Sequence, residues 1–262
     1  MLNPIIDAHI HLDSYEEHER AKLLGELAGC GVNALIAVSM NLESSLRNQE
    51  LALQYPGIVR PAYGFHPEQK IPPESEMDKL LQWMEQHAEQ MVAVGEIGLP
   101  YYSRLEAEER GETMDTAPYI HLLDKLLALA SRLDKPVVLH AVYEDADIVC
   151  DLLEKHRITR AHFHWFKGAP HTIKRMASQG YYISFTPDLL YEPEIIELAQ
   201  RYPKHLVMAE TDGPWPFEGP FEGQMTHPRM VREVIAAYGA IHGLTPQQAE
   251  VMLYANTKRF YY

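Results

Sequence analysis

The residues best suited to chemistry start at Asp7-Ala8-His9-Ile10-His11, directly after the apolar pair Ile5–Ile6. Alternate residues of an extended strand point the same way, so His9 and His11 can share one face. Two imidazoles on one face begin a transition-metal site, although two hydrogen-bonded histidines near a rim would give the same pattern. The other donors decide between these readings. Glu96 closes Val92-Ala93-Val94-Gly95-Glu96, His140 closes Val137-Val138-Leu139-His140, His164 closes His162-Phe163-His164, and Asp212 follows Ala209-Glu210-Thr211. Each lies at or just past the end of a short apolar run, a boundary where a core has no use for repeated charge. His18, His87, His121, His156, His171, His205, His227 and His242 instead fall on helix-like or loop segments. They read as solvated or capping residues.

The donor count suggests two divalent ions. His9, His11 and Asp212 would hold one, His140 and His164 the other, and Glu96 would bridge them. Two ions roughly 3.5–4 Å apart polarise a substrate oxygen and acidify a water between them. Imidazole-rich ligation favours Zn²⁺, with Mn²⁺ and Mg²⁺ as the alternatives that residue types leave open. No G-x-S-x-G elbow, G-x-G-x-x-G fingerprint or Walker-type lysine loop is present. Neither cysteine sits at a strand end, which argues against thiol catalysis.

One architecture would bring these donors together. Strands are expected at Ile5–Asp7, Ala34–Val38, Val59–Tyr63, Val92–Gly95, Val137–Leu139, Ala161–Phe163, Tyr181–Ser184 and Leu206–Ala209, with helices between them, among them Glu17–Ala28, Ser44–Gln54, Met77–Glu89, Tyr119–Arg132 and Ala146–Lys155. Leu122, Leu123, Leu126, Leu127 and Ala130 make one apolar helical face. Pro228–Ala240 would be the eighth helix. Pro246–Asn256 adds another, with Thr245 as N-cap and Pro246 in its first turn. Alternating strands and helices give parallel βαβ units, and eight of them give a (β/α)8 TIM barrel in a single domain spanning 1–262. Sites in such barrels lie at the strand C-terminal face. Two connections there exceed plain turns: Tyr101–Pro118, with five acidic and two basic residues, and the Pro-, Gly- and Phe-rich Gly213–Pro228.

The chain has 262 residues, 46% hydrophobic and 23% charged, which excludes a disordered chain, a collagen-like fibre and a small disulfide scaffold. With 23 Lys and Arg against 37 Asp and Glu, the net charge is −14. An acidic surface repels phosphate backbones, so no extended nucleic-acid docking surface is expected. Cys30 and Cys150 read as reduced packing residues. No membrane span and no secretory leader are evident, and the expected location is cytoplasmic.

Asp7-Ala8-His9-Ile10-His11-Leu12-Asp13, Gly64-Phe65-His66-Pro67 and Gly95-Glu96-Ile97-Gly98-Leu99 resemble motifs of the TatD family of metal-dependent hydrolases. So do Pro136-Val137-Val138-Leu139-His140, His164-Trp165-Phe166-Lys167-Gly168, Glu210-Thr211-Asp212-Gly213-Pro214 and Asn256-Thr257, in family order over nearly the whole chain. That family is a TIM barrel of the amidohydrolase superfamily and includes metal-dependent deoxyribonucleases. The resemblance implies metal roles for His9, His11, Glu96, His140, His164 and Asp212. It also implies that Asp212 orients or deprotonates a nucleophilic water. The chain departs from the family pattern at Pro100, at Ala141-Val142-Tyr143-Glu144-Asp145 and at Glu222-Gly223-Gln224. The family usually shows Asp, a Ser-Arg-Asp run and Arg-Gly-Lys at these points. Cations that would neutralise phosphate are therefore missing at two of these points, and Lys167 and Arg104 are the candidates to replace them.

His66, after the third strand, could hydrogen-bond a scissile phosphate or protonate a leaving group; otherwise it fixes a loop. His162 reads as a satisfied core histidine and Glu210 as a buried hydrogen-bond partner, with a ligand imidazole as its candidate. Asp7 fits either a carboxylate supporting the ligands or buried structural polarity. Tyr101, Tyr102, Trp165 and Trp215 could stack on a base or line an apolar pocket. The expected function is phosphodiester hydrolysis on nucleic-acid ends or small nucleotides. Amide, ester or lactone hydrolysis is the alternative, and six metal-competent positions argue against a non-catalytic scaffold.

Overall fold

The computed structural model describes residues 2–262. Eight strands, β1 (Ile5–Ile10), β2 (Val32–Val38), β3 (Val59–Tyr63), β4 (Ala93–Gly98), β5 (Val137–His140), β6 (Ala161–Phe163), β7 (Tyr182–Phe185) and β8 (Val207–Ala209), pair in parallel in sequence order. Most strand residues are buried, as expected of a parallel sheet lined by side chains inside and helices outside. Past β8 the chain returns to β1: Asp212 N–H donates to the His9 carbonyl at 3.0 Å, and His11 N–H to the Gly213 carbonyl at 2.8 Å. These bonds draw the first and last strands together, giving the expected TIM barrel.

The helices are α1 (Glu17–Cys30), α2 (Leu42–Gln54), α3 (Glu74–Gln86), α4 (Tyr101–Glu109), α5 (Ala117–Arg132), α6 (Asp145–His156), α7 (Pro170–Gln179), α8 (Pro193–Arg201), α9 (Val231–Ile241) and α10 (Pro246–Tyr261). The leucine stripe of α5 faces the sheet: Leu122, Leu123, Leu126, Leu127 and Ala130 are all buried. Thr245 caps α10 through a reciprocal box with Gln248, and Pro246 opens the helix. Asn256 of α10 donates to the carbonyls of Lys204 and Val207, both at 2.8 Å, pinning the helix to the entry of β8.

Tyr101–Pro118 exceeds a plain turn, its first half folding as α4. One expectation is corrected: Glu96 lies within β4, which continues to Gly98, rather than at its end. Gly213–Pro228 is long and irregular, with only a short turn of 3-10 helix at Gly219–Phe221. Among the described residues no helix is long and apolar enough to cross a membrane.

Candidate metal centre

Glu96 projects from β4 into the barrel mouth, wholly buried. Its two carboxylate oxygens face different partners. Oε2 lies 3.1 Å from His9 Nε2 and 3.2 Å from His11 Nε2. Oε1 lies 2.7 Å from His164 Nε2, 3.0 Å from His140 Nδ1 and 3.2 Å from His66 Nε2. Asp212 Oδ1 joins the first group, 3.3 Å from His9 Nε2 and 3.5 Å from His11 Nε2. All six expected ligands thus meet at one mouth. His66, expected nearby but outside the ligand count, stands as close to Glu96 as the others do.

Close approach of the backbones makes this possible. A Cβ on Gly98 would fall 1.9 Å from the His140 carbonyl oxygen, and one on Gly64 would fall 2.6 Å from that of Glu96. Only glycine permits such proximity, so both motif glycines set the spacing of β3, β4 and β5. Asp212 and Trp165 have φ of +50° and +40°. That left-handed conformation costs a non-glycine residue about 1–2 kcal/mol. Such strain persists where surrounding structure imposes it.

Behind the ligands, buried carboxylates are hydrogen-bonded. Asp7 accepts the Thr211 N–H at 2.9 Å and the Thr211 hydroxyl at 2.6 Å, anchoring the residue next to Asp212. Burial pushes the Asp7 carboxyl up to about 7, against those hydrogen bonds. Glu210 accepts the Trp165 N–H at 2.9 Å and the Ser184 hydroxyl at 2.6 Å, and lies 3.6 Å from His164 Nδ1. Because Ser184 donates to Glu210, His162 Nε2 donates to Ser184 at 2.6 Å and its Nδ1 accepts from the Tyr261 hydroxyl at 2.8 Å. His162 is thus a neutral core histidine, and burial holds its pKa well below the ordinary value.

Electrostatics at the mouth are those of ionised carboxylates among imidazoles. Burial alone would raise Glu96, but His164, His66 and His9 hold it well below the usual carboxylate range. Asp212 is lowered in the same way, burial being outweighed by His9, His164 and His11. Burial opposes charge on His9 and His164, yet the facing carboxylates raise both, His9 to about 9. Burial lowers His66 despite Glu96.

The donors fit a cation. His9 Nε2 lies 3.1 Å from Glu96 Oε2 and 3.3 Å from Asp212 Oδ1, all three atoms are buried, and none has a hydrogen-bond partner among the described residues. Unpartnered buried polar atoms are costly, and a bound ion would satisfy all three. Three groups of ligand atoms lie close enough to share an ion: His9, His164 and Asp212; His9, His11 and Glu96; and His66, Glu96 and His140.

A family model described as TatD related DNase matches residues 6–262. The chain belongs to the TatD family. It is 35% identical over 257 residues to an uncharacterized metal-dependent hydrolase of Haemophilus influenzae, covering 98% of this chain and 99% of that one. It is 26% identical to human deoxyribonuclease TATDN3, covering 80% of this chain and 78% of the relative. The crystal structure of the TatD homologue YJJV from Escherichia coli superposes with a TM-score of 0.84 at 27% identity, covering 98% and 97% of the two chains. This TatD-family chain is accordingly a metal-dependent hydrolase that uses divalent metal.

Sequence reasoning missed Glu68, whose carboxylate lies 3.1 Å from His140 Nε2. The only available signal was its position two residues after His66. Arg104, a candidate cation for the mouth, is held by Glu144 at 2.9 Å and Asp145 at 2.8 Å. Lys167 instead lies over the Trp165 ring, 5.3 Å from its centroid. Trp215 is 56% exposed beside Trp165, and Tyr102 is 41% exposed with its ring 5.9 Å from that of His140.

Proposed function

We propose that this chain, acting as one hydrolase domain over 1–262, cleaves phosphodiester bonds at nucleic-acid ends or in small nucleotides with two divalent ions, Zn²⁺ for preference. The observation that carries the reading is the division of Glu96, with Oε2 toward His9 and His11 and Oε1 toward His140 and His164. In this reading His9, His11 and Asp212 hold one ion, His140 and His164 the other, and Glu96 serves both. When bound, such a pair supplies charge for the phosphoryl oxygens and a water acidified towards neutrality.

The remaining work belongs to the chain. Asp212, ionised and fixed by the Asp7–Thr211 contacts, accepts the proton of the attacking water. His66 Nδ1 accepts the Glu68 N–H at 3.1 Å, which leaves Nε2 as the proton-bearing nitrogen, available to a phosphate oxygen or leaving group. A net charge of −14 and the pairing of Arg104 favour a small substrate or a strand end over docking along a duplex. The deoxyribonuclease name of the human relative supports phosphodiesters as the substrate class. The free cysteines Cys30 and Cys150 support a reducing, cytoplasmic setting.

Elemental analysis of purified protein, followed by assays of oligonucleotides, dinucleotides, amides, esters and lactones with Zn²⁺, Mn²⁺ and Mg²⁺, tests the proposal. Two ions per chain and metal-dependent release of nucleotides from strand ends are expected. Turnover of amides, esters or lactones with inert oligonucleotides would replace the substrate class, and protein that neither contains nor responds to metal would overturn the whole reading.

A further inference from the structure

We infer that Glu68 is a positioning residue, holding the His140 ring with Nδ1 toward Glu96 and tying the first turn of α4 to that ring. The inference rests on the metal reading above and extends it. Glu68 is remote in sequence from both partners, in the loop after β3. Its Oε1 lies 3.1 Å from His140 Nε2 and accepts the Tyr102 N–H at 2.8 Å, while Oε2 accepts the Ser103 N–H at 2.7 Å.

An ionised carboxylate only accepts hydrogen bonds. The His140 nitrogen facing Glu68 therefore carries hydrogen, and Nε2 donates. That leaves the lone pair on Nδ1, 3.0 Å from Glu96 Oε1 and 3.4 Å from His164 Nε2. If the ring turned over or took the other tautomer, no lone pair would face the centre. The α4 amides hold the carboxylate in turn, and its negative charge sits favourably at the N-terminal end of a helix. Capping alone accounts for the two amide contacts but not for the third, to the imidazole. Outer partners of this kind fix ring orientation and raise the basicity of a ligand. Because Tyr102 is in the same turn, its ring edge against His140, the outer wall of the mouth and the ligand are held by one carboxylate.

Zn²⁺ alone, titrated into chelator-stripped protein against a chromogenic chelator, provides a readout independent of turnover. Glu68→Gln has one acceptor oxygen where Glu68 has two, so it cannot accept the Tyr102 amide, the Ser103 amide and Nε2–H together. It is expected to weaken one of the two Zn²⁺ affinities about 10–100-fold. In a His140→Asn background the same change is expected to have no effect beyond twofold, which a simple helix cap would not predict. ¹⁵N-histidine NMR of the Zn²⁺-loaded wild type, needing no variant, is expected to show His140 protonated on Nε2. Wild-type affinities in Glu68→Gln, an equal loss without His140, or a proton on Nδ1 would each overturn the assignment. Wild-type protein that takes up no Zn²⁺ would instead sink the metal reading itself.

Discussion

The backbone N–H of Asp212 donates to the carbonyl oxygen of His9 at 3.0 Å, so a main-chain bond that closes the barrel also joins two candidate ligands. The position of Asp212 therefore depends on barrel closure and on the Asp7–Thr211 contacts beside it. Thr211→Val removes the hydroxyl that Asp7 accepts and leaves a buried carboxylate oxygen short of a partner. We expect a loss of about 1–3 kcal/mol in urea unfolding, accompanied by a fall in kcat with KM nearly unchanged. A stable variant with full kcat would show that Asp212 is placed without this support.

Removing metal should cost stability as well as activity. The unpartnered atoms of His9, Glu96 and Asp212 lie buried together, and an ion that binds only the folded state stabilises it by mass action. At a thousandfold excess over Kd the effect is about 4 kcal/mol, equivalent to about 10 °C in a domain of this size. Calorimetry after chelation should show that fall, with recovery on adding Zn²⁺. An unchanged Tm would contradict resident metal.

Glu96→Gln replaces an anion that faces five imidazoles. We expect kcat/KM to fall at least about 10³-fold, a loss of roughly 4 kcal/mol in transition-state stabilisation. Metal content should drop from two ions to one or none by elemental analysis. Retention of both ions would mean that Glu96 bridges nothing.

Asp145, near His140 and Glu68, gives a pH dependence through a residue outside the ligand set. It is buried against Arg104, and burial, the largest influence, raises its carboxyl from 3.8 to about 6 despite that partner. A carboxyl raised on folding favours the protonated folded state. Its contribution is therefore fully present below pH 3.8 and lost as pH rises through about 6. Asp145→Asn does not titrate, so its stability relative to wild type should increase from pH 4 to pH 7. Urea unfolding at both values checks the sign, and a relative stability that falls over this range would refute it.

The barrel was legible because each strand is a short apolar run and each candidate ligand but His9 and Glu96, which lie within β1 and β4, sits at or beyond the end of one; the helices followed from stripes such as that of α5. α4 was not legible, since only Ala107 of its nine residues is buried and no periodic face exists to be read. Its first turn donates two hydrogen bonds to Glu68, more than thirty residues earlier. The Glu68–His140 contact joins residues 72 apart, beyond any local motif. Likewise, the sequence showed that His66 reaches the mouth, but its distance from Glu96 depends on how closely Gly64 lets β3 approach β4.

Tyr261 reaches both His162 of β6 and the carbonyl of Ala8 in β1. A fragment ending at Gly243 would contain all six candidate ligands and the eight described strands, yet would lack the Tyr261 contacts and the Asn256 amide that holds the start of β8. The shape of the mouth thus leans on a helix that supplies none of the six donors, and a fragment without α10 is expected to take up less Zn²⁺ although every candidate ligand is present.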